Sequence, residues 1–122
     1  MMEFDQQCGR ELKMMLSGEK LLAAFFQDDL ISEFDALDGQ NFDPWVESGK
    51  IIRREIETEL NGIWVKYILF APASEAWRIE AYLVLLEFRT SRSWTPELEW
   101  VEARIYGLPP EQCDRLVKHR YK

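Results

Sequence analysis

Histidine and cysteine, the residues that most metal and nucleophilic sites require, are scarce in this sequence of 122 residues. His119 is the single histidine and lies in a basic C-terminal tail, while Cys8 and Cys113 lie near opposite ends of the chain. A zinc site of nitrogen and sulfur ligands is therefore not expected, nor is a cysteine nucleophile with its base. The sequence also lacks a phosphate-binding glycine-rich loop and the Gly-x-Ser-x-Gly motif of hydrolases. We expect no catalytic residue, no metal and no cofactor, and hence no enzyme.

Long apolar runs are also missing. No stretch approaches the ~18–20 apolar residues of a transmembrane helix. The N-terminal sequence MMEFDQQCGREL has neither the basic start nor the apolar centre of a secretory signal. We therefore expect no membrane association and a cytoplasmic location. In that compartment Cys8 and Cys113 are expected as free buried thiols, with a disulfide between them as the alternative.

What the sequence does contain is typical of one globular domain spanning residues 1–122, with 47% apolar and 13% aromatic residues. The net charge is −7, and the whole imbalance lies in residues 1–50, which hold eleven acidic and four basic residues. The acidic residues concentrate between Asp28 and Glu47. Such a surface repels nucleic acid and anionic membranes and attracts a basic protein surface.

The clearest structural signal is Asn61-Gly62 between two strand-like runs, which predicts a β-hairpin with a two-residue turn. The run before it alternates apolar and charged residues, as a half-buried strand does. The run after it is apolar on both faces and is expected to be a central strand. Two further strands are predicted over Trp77–Arg89 and Glu97–Tyr106, which completes a four-stranded antiparallel meander.

Apolar residues at three- and four-residue spacing predict two N-terminal helices, over Glu3–Leu16 and Gly18–Leu37. Pro109-Pro110 predicts the start of a short C-terminal helix. The expected fold class is α+β, with the two N-terminal helices packed on the meander.

Glutamates and tryptophans each allow two interpretations. Glu55, Glu57 and Glu59 alternate along one strand face, where they could support acid–base chemistry or bind a hard cation. Solvation of a half-exposed strand is the simpler interpretation and is the one we favour. Strand tryptophans are expected in the core, namely Trp64, Trp77 and Trp100. Trp45, next to Asp43 and Glu47, is either an interface anchor or a lid on the core.

Four segments resemble a diffuse class of small, mostly uncharacterised bacterial α+β proteins. These segments are Met15-Leu16-Ser17-Gly18-Glu19, Arg54-Glu55 with Gly62, Phe70-Ala71-Pro72, and Leu98-Glu99 to Tyr106-Gly107. The class usually has aromatic residues after the hairpin glycine, and Ile63-Trp64 match this in part. The resemblance implies a layered α+β fold and transfers no catalytic residue.

The one-sided charge and the lack of catalytic equipment predict a non-enzymatic binding protein of the immunity or inhibitor type. It would neutralise a basic partner, such as a toxin or a nucleic-acid enzyme. The residues expected to bind that partner are Asp28, Asp29, Glu33, Asp35, Asp38, Asp43, Trp45 and Glu47. The alternative is a small-ligand-binding protein or carboxylate-based enzyme with a pocket between helix 18–37 and the sheet. A homodimer through an incompletely covered sheet face or edge is a third hypothesis.

Overall fold

The computed structural model describes residues 9–60, 62–91 and 94–121 of the chain. Its elements in chain order are α1 (Glu11–Ser17), β1 (Ala23–Asp28), α2 (Glu33–Ala36), α3 (Asp43–Glu47), β2 (Ile51–Leu60), β3 (Ile63–Pro72), α4 (Trp77–Ser91), α5 (Pro96–Tyr106) and α6 (Pro110–Arg120). A short 3-10 turn, Ala73–Glu75, joins β3 to α4. The expected α+β class with an antiparallel sheet is confirmed, but this part of the chain contains three strands rather than four.

The predicted hairpin forms the larger part of the sheet. The strand order is β1-β3-β2 and both pairs are antiparallel, so β3 is central, as its two apolar faces predict. Leu60 pairs with Ile63 across a two-residue turn, in which Gly62 adopts a φ of 83°. Asn61 itself lies outside the described residues. Positive φ at this position is the reason that glycine follows asparagine here.

The prediction of a helix over Gly18–Leu37 is wrong. Residues 23–28 form the edge strand β1, and the helical part of this segment is Glu33–Ala36. Adjacent apolar residues explain the error: Leu22 and Ala24 pack on one face of the sheet and Ala23 and Phe25 on the other. A strand covered on both faces produces the same short apolar spacings as an amphipathic helix, and tertiary pairing with β3 selects the strand. The pocket expected between this helix and the sheet would have had the helix as one wall, and residues 23–28 of that helix instead belong to the sheet.

The predicted strands over Trp77–Arg89 and Glu97–Tyr106 are also wrong, because these segments form α4 and α5. On α4, the buried residues Ile79, Tyr82 and Leu85 recur every three positions and define one helix face. At the start of α5, the hydroxyl of Thr95 accepts a hydrogen bond from the backbone N–H of Leu98 (3.2 Å), which is an N-cap.

The predicted C-terminal helix is confirmed as α6, with Pro110 in its first turn. The predicted N-terminal helix is found over its final part as α1, whereas residues 3–8, including Cys8, lie outside the described chain. Cys113 on α6 is a free, fully buried thiol.

Each face of the sheet carries its own apolar core. On the face that we call the short-helix face, α1 to α3 and their loops cover a cluster that consists of Met15, Ala23, Phe25, Leu37, Phe42, Ile51, Ile68 and Phe70. On the opposite, long-helix face, α4 and α5 cover a cluster that consists of Leu22, Leu69, Ala71, Ile79, Tyr82, Leu85 and Ile105. α6 packs on α5. Both cores therefore meet in β3.

Aromatic packing holds the short-helix core together, and this leads to a first prediction. The rings of Phe42 and Phe70 stack with centroids 3.9 Å apart, and Phe25 meets both rings edge-on. Because Phe70 is fully buried, we expect Phe70→Ala to lower the free energy of unfolding by about 3–5 kcal/mol. Urea denaturation measures this loss.

The matched control is Phe34→Ala, since Phe34 on α2 is 71% exposed. We expect this variant to stay within about 0.5 kcal/mol of the wild type. Equal losses in the two variants would contradict the assignment of Phe70 to the core.

Candidate functional site

The short helices cover only part of the short-helix face, and its hairpin end remains open. In the strand register, Gln27 and Glu57 lie on either side of Lys66, and Glu59 lies opposite Trp64. Residues that are paired across an antiparallel sheet share a face, so these side chains project to the same side. Trp64 is 58% exposed. An aromatic ring and several polar groups thus lie where cover from a helix ends.

A groove of about 320 Å³ forms at this end of the sheet. One wall comes from the end of β1 and the turn that follows, with Gln27, Asp28, Asp29 and Ile31. The other wall comes from the hairpin, with Glu57, Trp64, Val65 and Lys66. The groove therefore combines three carboxylates with two exposed apolar side chains.

The turn after β1 fixes the first wall through its own hydrogen bonds. The carboxylate oxygen Oδ1 of Asp28 accepts from the backbone N–H of Leu30 at 2.8 Å. The side-chain amide of Gln27 donates to the carbonyl of Ile31 at 3.1 Å. In this turn Leu30 is 91% exposed, and Asp29 is also exposed. This is the local pattern of an Asx turn, in which the aspartate substitutes for a backbone acceptor.

The cations beside the groove already form ion pairs with neighbouring carboxylates. The ammonium of Lys66 lies 3.0 Å from the carboxylate of Glu55, and Arg53 lies 3.2 Å from the same carboxylate and 2.6 Å from that of Glu33. The hydrogen bond from Lys66, followed by that from Arg53, lowers the pKa of Glu55. The hydrogen bond to Glu33 contributes most to raising the pKa of Arg53. Because Lys66 is occupied by Glu55, it does not neutralise Glu57, which forms no ion pair within the described ranges.

The structure brings together only part of the acidic segment predicted to bind a partner. Asp28 and Asp29 line the groove, while Glu33 is paired with Arg53. Asp35 sits in the first turn of α2, where its backbone N–H and its carboxylate both hydrogen-bond the Ser32 hydroxyl. The remaining carboxylates are exposed elsewhere on the short-helix face, at Asp38, Asp43 and Glu47. Trp45 is half-buried and packs against the short-helix core, the position expected of a lid.

Two groove residues were missed as binding candidates. Trp64 was expected in the core and Glu57 was interpreted as strand solvation, yet both line the groove. The hairpin signal itself could have placed them together, because a two-residue turn puts Glu57, Glu59 and Trp64 on one face. Trp77, also expected in the core, is 55% exposed at the start of α4.

The other notable carboxylates, Glu99 and Glu102, are buried on α5. The two carboxylate oxygens of Glu99 accept hydrogen bonds from the indole of Trp94 (2.5 Å) and from Arg120. Glu102 is paired with Arg89 at 2.5 Å. Burial raises the pKa of Glu102, Arg89 opposes this shift, and the neighbouring charge of Glu99 adds to it. These groups connect α4, α5 and α6, so we assign them a structural role.

The rest of the described chain shows neither a metal site nor a membrane span. Across residues 9–60, 62–91 and 94–121, no group of three or more histidine, cysteine, aspartate or glutamate side chains is arranged to hold a metal ion. No helix in those ranges is both long and apolar enough to cross a membrane. No protein-family description, curated protein or solved structure matches the chain.

The pairing of Glu55 leads to a second prediction, on the pH dependence of stability. Because folding lowers the pKa of Glu55, its carboxylate stabilises the fold above the unfolded pKa of about 4.3. This contribution is lost as the pH falls through the lowered folded pKa. We therefore expect the stability difference between wild type and Glu55→Gln to shrink between about pH 5 and about pH 3. Urea unfolding at a series of pH values measures it.

Glu47→Gln is the control, since Glu47 is an exposed carboxylate at the other end of the sheet. We expect Glu47→Gln not to reproduce the change seen with Glu55→Gln, because Glu47 lacks the ion pairs that Glu55 makes with Lys66 and Arg53. Parallel curves for wild type and Glu55→Gln would rule out the stabilising role of the ion pairs at Glu55.

Proposed function

We propose that this protein is a non-enzymatic binding module that recognises a basic segment of a partner protein in the groove at the hairpin end of the sheet. The observation that carries the proposal is the composition of the groove. Asp28, Asp29 and Glu57 surround an open space in which Trp64 is 58% exposed. Lys66, the one cation among the described residues that line the groove, is already paired with Glu55.

Charge complementarity supports a basic partner. Coulombic attraction between unlike surfaces accelerates encounter and suppresses the wrong partners. The chain carries a net charge of −7, with its excess of acidic residues in the first fifty positions, where Asp28 and Asp29 lie. A basic segment entering the groove would meet these carboxylates together with Glu57, which comes from a different part of the chain.

Exposed apolar side chains support a protein rather than a free ion as the ligand. Leu30 and Ile31 are 91% and 40% exposed and stand next to Asp29 in the turn after β1. Trp64 is the aromatic residue on the opposite wall. Hot spots in protein interfaces typically combine a central aromatic anchor with a polar rim, and this groove has both.

A protein of the immunity or inhibitor type would use such a site to neutralise a toxin or a nucleic-acid enzyme. Enzymes that act on nucleic acids hold phosphates with lysine and arginine side chains. An acidic groove with an apolar anchor can occupy the same basic surface and exclude the substrate. This use accounts for the charge of the groove without requiring chemistry in it.

A titration of the ¹⁵N-labelled protein with an acetylated oligolysine peptide tests the proposal. At an ionic strength of about 0.01 M, we expect amide resonances of residues 27–31, 57 and 63–66 to shift. Raising the ionic strength to about 0.15 M shortens the screening length from about 30 Å to about 8 Å and should weaken binding. Asp29→Asn combined with Glu57→Gln, which removes two negative charges from the groove, should weaken it about five-fold.

The matched control removes two carboxylates from the other part of the acidic segment, as Asp43→Asn with Glu47→Gln. α3 packs on β2, which begins at Ile51. Glu57 lies six residues further along this strand, which corresponds to about 20 Å. We expect this variant to bind the peptide like the wild type. If the control lost as much affinity as the groove variant, or if the shifts spread evenly over the acidic segment, the groove would not be the binding site.

A further inference from the structure

The protein repeats one arrangement of side chains inside its own structure. In three places within residues 9–60, 62–91 and 94–121, an arginine guanidinium lies over an aromatic ring and also pairs with a carboxylate. We call this arrangement an arginine–aromatic–carboxylate cluster. The three clusters are Arg53 over Phe70 with Glu33, Arg78 over Trp77 with Glu75, and Arg89 over Trp94 with Glu102. The guanidinium carbon lies 5.6, 4.5 and 4.4 Å from the respective ring centroids.

The groove contains the same arrangement without its arginine. Trp64 supplies the ring, and Glu57 lies on the same wall, with Glu59 opposite Trp64 in the register. Within the described part of the chain, no cation lies over the ring of Trp64. Lys66, which projects from the same face, is held by Glu55. The ring and the carboxylate are thus present, and the cation is the missing member.

The first wall adds an unmet hydrogen-bond acceptor. The amide oxygen Oε1 of Gln27 is buried and has no hydrogen-bond partner in the described ranges, while the amide nitrogen donates to Ile31. Buried acceptors without a donor are uncommon in folded proteins. Because that oxygen of Gln27 is closed to solvent, the acceptors open to a partner are the carboxylates of Asp28, Asp29 and Glu57.

We propose, on the basis of the proposed function, that the partner inserts an arginine into the groove. Its guanidinium stacks on the Trp64 indole and donates to the carboxylate of Glu57, which completes a fourth cluster between two proteins. Arginine suits this site better than lysine because its planar group stacks on a ring, is weakly hydrated and offers five donors. A lysine ammonium gains the Coulombic attraction but loses most of the stacking.

Two matched peptides separate arginine recognition from general attraction to positive charge. Acetylated peptides of alternating glycine and arginine, or of glycine and lysine, carry equal charge and length. We expect the arginine peptide to bind about five-fold more tightly and to shift the indole N–H resonance of Trp64. In Trp64→Leu the preference should disappear while salt-sensitive binding of both peptides remains. Trp77→Leu, at an exposed tryptophan already covered by Arg78, is the control and should keep the preference.

The outcomes distinguish this inference from the function on which it rests. Equal affinity for the two peptides, with shifts confined to the groove, would overturn the arginine inference and leave the binding module standing. Absence of groove shifts with either peptide would overturn both. If Trp64→Leu still preferred the arginine peptide over the lysine peptide, another residue would bind the guanidinium, and the inference would again be wrong. Because Trp64 is largely exposed, a dispersed spectrum of Trp64→Leu is expected and verifies its fold.

Discussion

The buried middle of β3 is the constraint on which the rest of the structure depends. Residues 68–71 of this strand are fully inaccessible to solvent, although three strands make up the sheet in the described part of the chain. Burial of apolar surface is the dominant favourable term in folding, and a strand that is apolar on both faces can be buried only if both faces are covered. The N-terminal segments supply one cover and the helical second half supplies the other. Along the chain, the hairpin lies between these two covering parts.

The sequence predicts elements well where a local signal agrees with the tertiary structure. Asn61-Gly62 and Pro109-Pro110 fix a turn and a helix start through their own backbone preferences, and the hairpin and α6 follow. Three other segments are misassigned because adjacent apolar residues fit both periodicities, and what lies against each face decides between them. For Trp77–Arg89 the length of the run favours a helix over a strand, and for α5 the cap formed by Thr95 marks the start, so these two could have been assigned correctly.

The groove was harder to predict than the elements that form it. Its carboxylates come from two segments, the turn after β1 and the strand β2. The excess of acidic residues in the first fifty positions points to the turn but not to β2. Charge counting also cannot show that Glu33 is neutralised by Arg53, 20 positions later in the sequence. By contrast, the shared face of Glu57 and Trp64 follows from the turn length alone. The acidic residues of one wall can therefore be recognised from the sequence directly. Those of the other wall are recognised only when the register of the hairpin is worked out.

The hairpin is longer than the strand that flanks it, and this difference has a consequence for variation. β1 ends opposite Val65, whereas β2 continues to pair with β3 as far as Ile63, so that Trp64 lies beyond the end of β1. The groove occupies this step, outside the two buried cores. Substitutions there change the shape and charge of this surface without removing apolar contacts from the cores, and a longer or shorter turn after Asp28 would reshape the groove in the same way. The residues at the rim of the groove can therefore vary while the two buried cores stay constant.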